Sequence, residues 1–105
     1  MDGNLQARFG EALVKAYQTA VDECGYRGNY ALRMLNELGP VEAARRLIDA
    51  EVPAEGFTRL WECQRLDLTV EAIAIDEEFA ALFAPEELER ACDRLRQYGY
   101  DFKAR

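Results

Sequence analysis

The chain has 105 residues, half of them hydrophobic and 31% charged, with 20 acidic against 13 basic groups and a formal net charge of −7. That length fits one domain with one core, and that balance excludes a disordered chain. There is no histidine and no serine, which removes Ser-His and Cys-His nucleophile pairs, the usual general base and the usual zinc and copper ligands.

No apolar run approaches the roughly 18 residues that a membrane span needs, so no membrane association is expected. The opening MDGNLQARFG has no apolar signal-peptide region, and the cytoplasm is the expected address. Cys24, Cys63 and Cys92 are odd in number and far apart, with no C-x-x-C pair, and each falls among apolar helical positions. They read as free, buried or half-buried thiols behaving as small hydrophobes. Neither a G-x-x-x-x-G-K loop nor a G-x-G-x-x-G turn is present. No Asp/Glu pair identifies itself as a glycosidase or metal site. A non-enzymatic chain with no cofactor and no catalytic or metal residues is therefore the expectation.

In chain order, Leu5, Phe9, Ala12, Leu13, Ala16, Tyr17, Ala20 and Cys24 recur at spacings of three and four, which predicts a helix over 4–24. Asn4 is its candidate N-cap and Gly25 its stop. Asn29 can cap a second helix over 30–38, with Ala31, Met34, Leu35 and Leu38 inward and Gly39 ending it. Pro40, Pro53 and Pro85 each precede a glutamate by two positions. Proline suits the first helical position, and the carboxylate then faces the partly positive helix start. Helices are predicted over 40–51, 54–64 and 85–98, the second of them weakened by Gly56 in its first turn. Residues 66–70, LDLTV, alternate like a strand. No second strand candidate exists, and a lone strand leaves backbone groups unpaired. The expected form is a turn whose leucines plug the core, then a helix capped by Thr69, with Asp76 capping a further short helix. The fold class is all-α, a compact orthogonal bundle of six to seven short helices without a sheet. One domain covers 1–105, with residues 100–105 as a tail.

Glu23-Cys24-Gly25-Tyr26, Gly56-Phe57 with Leu60-Trp61-Glu62, the run Leu66-Asp67-Leu68-Thr69-Val70-Glu71-Ala72 and Tyr98-Gly99-Tyr100 are landmarks of a wider likeness. From Phe9 to Tyr100 the chain resembles a small domain of bacterial hypothetical proteins. That resemblance implies a stand-alone domain of bacterial or phage origin and carries over no catalytic or ligand residue.

Four features are candidates for function. Between Leu66 and Glu89 stand eight acids and no Lys or Arg. First-turn placement at helix starts accounts for most of them; the alternative is an acidic face, with Glu77, Glu78, Glu86 and Glu87, for a basic partner or in imitation of nucleic acid. The C-terminal stretch interleaves Arg94, Arg96, Lys103 and Arg105 with Tyr98, Tyr100 and Phe102, as in single-strand stacking platforms. Trp61 reads as core or as an interface anchor. The turn LNELGPVEAARRL invites a helix-turn-helix reading, opposed by Glu42 in the would-be recognition helix. The leading expectation is a protein-interaction or regulatory module binding another protein, basic if the acidic face is used, with a homodimer compatible. A nucleic-acid accessory role through the Arg/Tyr stretch, or a phage inhibitor with a DNA-mimicking face, is the alternative.

Overall fold

The apolar stripe that begins at Leu5 winds into the longest helix, α1 (Asp2–Cys24), in a computed structural model that describes residues 2–27 and 29–100. The helix starts two residues before the expected cap, so Asn4 lies inside it. Helix α2 (Asn29–Leu38) follows; the expected capping by the Asn29 side chain lies outside what is described. Gly39, at φ 84°, is a sharp corner between α2 and α3 (Pro40–Asp49), and only glycine adopts that backbone without strain. Pro40 opens α3 as expected. Pro53 does not open α4 (Glu55–Glu62), whose N-cap is Ala54, because Gly56 weakens any earlier start.

Residues 66–68 form a 3-10 turn, with Leu66 buried and Leu68 half-buried. Thr69 then caps α5 (Val70–Ala74): its Oγ1 accepts the Ala72 N–H at 3.1 Å and donates to the Leu66 carbonyl at 2.7 Å. The further helix expected after Asp76 is absent. Asp76 Oδ1 accepts the Glu78 N–H at 2.9 Å, which tightens a turn, and only a 3-10 turn at Ala80–Leu82 follows. Asp and Asn side chains compete with helical backbone pairing in this way. Helix α6 (Pro85–Gln97) opens on its proline, and the Glu87 carboxylate accepts the Ala84 N–H at 2.8 Å. The all-α reading holds: six α-helices, two 3-10 turns and no strand among the described residues.

Two apolar clusters hold the helices together. Phe9 of α1 meets Phe79 and Phe83 edge-on, with centroids 5.3 and 5.4 Å apart, over Ala44, Ile48, Ala74 and Ala91. Edge-to-face pairs add about 0.5–1.5 kcal/mol each beyond the area they bury. The second cluster joins Phe57, Leu66, Ala72 and Leu95, with Tyr98 and Tyr100 packed against it. Tyr100, the one residue of the expected tail that is described, thus packs against the domain. Phe102, Lys103 and Arg105 of the C-terminal stretch lie outside the described residues.

The cysteines depart from expectation. Cys24, the last residue of α1, and Cys63, the first after α4, form a disulfide with their Cα atoms 5.9 Å apart. Their separation of 39 residues hid the pairing, because it follows from how two helix ends meet and not from any local spacing. Cys92 remains a half-buried free thiol.

Candidate binding groove

Helices α1 and α4 touch, but a space remains between them and α2. Between them runs a mostly apolar groove of about 300 Å³, floored by α3 and the start of α5. Its α1 wall is Leu13, Ala16, Tyr17 and Ala20. Its α2 wall is Tyr30, Ala31 and Leu35, and its α4 wall is Gly56, Phe57 and Leu60. Each set repeats at three or four residues, so each helix turns one stripe into the groove. Helix α2 packs chiefly on α3, and Ala31 and Leu35 of its inward stripe also line this opening. Tyr30 stands at the lip with 61% of its surface exposed.

Tyr26 links the groove to α4. A methyl group on Gly56 would sit 2.6 Å from the Tyr26 hydroxyl, so the bare glycine is what admits that ring. Burial, and then the neighbouring Glu55 carboxylate, push the Tyr26 phenol above its ordinary range, and Arg59 lies over the ring at 5.9 Å.

Beneath the groove lies a buried ion pair. Glu71, in the first turn of α5, accepts from the Arg94 guanidinium at 3.0 Å, and both side chains are more than nine-tenths buried. Arg94 also donates to the Leu47 carbonyl at 3.0 Å and to the Ala50 carbonyl, the unpaired end of α3. Burial raises the Glu71 carboxyl above its ordinary value, opposed by its own backbone N–H and by Arg94. This pair ties α3, α5 and α6 together. It corrects one expectation: Arg94 faces inward and offers nothing to a partner. A side chain that caps one helix and neutralises a buried acid on another cannot be distinguished in sequence from a basic surface.

The other expected site residues scatter. Trp61 is 44% exposed and meets Tyr98 edge-on at 5.4 Å, and Tyr98 meets Phe57 at 5.0 Å. Trp61 and Tyr98 thus form one aromatic patch, which through Phe57 backs onto the groove, and Tyr100 packs against the same apolar cluster as Tyr98. Arg96 is exposed and pairs with Asp93 at 3.3 Å. Of the acids, Glu78 pairs with Arg8 at 3.1 Å and Glu87 with Arg45 at 3.0 Å, while Glu77 and Glu86 face solvent. Two acids of the run without Lys or Arg are therefore answered by cations from α1 and α3. The groove itself was not anticipated. Its signal was Tyr30, an aromatic off the inward stripe of α2.

Among the described residues no group of three or more His, Cys, Asp or Glu side chains could hold a metal ion, and no helix is long and apolar enough to cross a membrane. No family model, no curated protein and no solved structure matches the chain, so the likeness seen in its residues stands without a matched relative.

Proposed function

We propose that this chain is a non-enzymatic interaction module that binds a partner protein through a helical surface, and that the α1/α2/α4 groove is that surface. The observation that carries the reading is the open apolar groove itself, with an aromatic lip. Tyrosine and tryptophan supply large contact area at low entropic cost and dominate interface hot spots. The occupant that fits is an amphipathic helix of the partner. An extended peptide would bring unpaired backbone amides to a groove with no strand edge to receive them, whereas a helix satisfies its own. A net charge of −7 favours a partner whose helix is flanked by Lys and Arg, through long-range steering of the encounter.

A fluorescence-anisotropy panel of helical peptides with one apolar face tests this. Peptides with Lys/Arg flanks should bind and those with Glu flanks should not, and Ala31→Arg in α2 should abolish binding while the far-ultraviolet circular dichroism is retained. Equal binding by both sets, or by the Ala31→Arg variant, would remove the groove from consideration. Of the two described basic side chains in the Arg/Tyr stretch, Arg94 is buried and Arg96 is exposed, so the geometry favours the nucleic-acid alternative less.

A further inference from the structure

We propose that the Cys24–Cys63 disulfide is a reversible thiol–disulfide lock on this groove; the idea concerns regulation of the proposed binding site and rests on that reading for its consequence. The position of the bond is the argument. On α1, Tyr17 and Ala20 line the groove and Cys24 lies one turn beyond Ala20 on the same side. On α4, Phe57 and Leu60 line it and Cys63 lies one turn beyond Leu60. The disulfide is thus the last rung of the α1–α4 wall and closes the groove at one end.

Besides the disulfide, α1 touches α4 and the 3-10 turn that follows it. Arg65 pairs with Glu23, beside Cys24, but both groups are partly solvated, and such pairs are weak. Tyr26 against Gly56 holds the opposite, N-terminal end of α4. Both sulfurs belong to half-buried residues. In a thiol-rich compartment such a bond is characteristically transient and regulatory.

The exchange needs only a low-molecular-weight thiol. Its thiolate attacks one protein sulfur, forming a mixed disulfide and releasing the other cysteine as thiolate. A second thiolate attacks the small-molecule sulfur of that mixed disulfide, releasing the remaining cysteine and leaving the small molecule as its own disulfide. Two thiols are oxidised, one protein disulfide is reduced, and the two new cysteine thiolates take up protons. Oxidised, α4 is pinned to α1 and the groove keeps its shape. Reduced, the C-terminal half of α4 parts from α1 while Phe57 remains anchored in its cluster.

Hydrogen-exchange mass spectrometry of the oxidised chain, the chain reduced by a small thiol, and the Cys24→Ser/Cys63→Ser variant tests the lock without any ligand. Reduction and the double variant should each speed exchange in residues 20–27 and 57–66 by about tenfold or more, leave 41–49 and 88–96 unchanged, and be reversed in the wild type by oxidised glutathione. Uniform acceleration along the chain, or complete unfolding on reduction, would make the bond a global staple and overturn the proposal. Unchanged exchange, or two free thiols after treatment with oxidised glutathione, would overturn it as well. The Lys/Arg-flanked peptide should bind the reduced chain about fivefold or more weakly. Equal affinity in both states alongside the local exchange change would overturn the regulatory claim. Binding in neither state would refute the partner reading alone, with the exchange pattern still deciding the lock.

Discussion

Replacing Arg94 by Met keeps the length and most of the volume of the side chain and removes its charge and donors. Glu71 is then left as a buried carboxylate without its cation, and the Leu47 and Ala50 carbonyls at the end of α3 lose their donor. Removing one partner of a buried pair costs about 3–5 kcal/mol, a large share of the roughly 5–15 kcal/mol that holds a domain of this size. With about 2.1 cal/mol/K of unfolding entropy per residue, the thermal midpoint should fall by roughly 14–23 °C. The penalty should also depend on pH. Without Arg94 the Glu71 carboxyl rises further and takes up a proton readily, which relieves the buried charge. Near pH ~4 the cost should shrink to about 1–2 kcal/mol, the share of the two carbonyls. Urea unfolding of both proteins across this range measures the difference directly. A cost under about 1 kcal/mol at neutral pH, or one that does not change with pH, would refute the view that a buried charge pair joins α3, α5 and α6.

Other predictions follow from neighbouring contacts. Because burial raises the Glu71 carboxyl, the folded chain holds that proton more tightly than the unfolded one. The stability this group contributes is complete below its ordinary value of 4.5 and is lost as pH rises through the folded value, and Glu71→Gln should flatten that part of the stability profile in urea melts. Thr69→Ala removes the acceptor for the Ala72 N–H at a site 2% exposed and should cost about 1–2 kcal/mol by chemical denaturation. Gln64 ends α4 at φ 64°, with Gln64 N–H to the Trp61 carbonyl at 3.0 Å and Arg65 N–H to the Leu60 carbonyl at 2.8 Å. That helix-ending conformation suits glycine, so Gln64→Gly should stabilise by about 0.5–1 kcal/mol in the same assay.

What could be read from the residues was local. The stripe of α1, the corner at Gly39, the prolines opening α3 and α6 and the Thr69 cap are each set by neighbours within one turn, and each is where the spacing placed it. The strand-like run at 66–70 is excluded as a lone strand because its backbone hydrogen bonds would have no partners. The errors share one cause, side chains whose partner is distant in sequence. Arg94 looked like surface because Glu71 is 23 residues away, and Cys24 and Cys63 looked free because 39 residues separate them. The end of α4 was missed because glutamine is not the residue expected in a left-handed position. The groove is not legible because it is the space left between three helices, which no single helix reports.

The reading of this protein as a helix-binding module is tested most directly by amide chemical-shift mapping of the oxidised chain titrated with the Lys/Arg-flanked peptide. The shifts should cluster on Tyr17, Ala20, Tyr30, Ala31, Leu35 and Phe57, the three walls of the groove. Shifts confined to Arg96 and the end of α6, or spread thinly over the acidic residues with the groove silent, would contradict it.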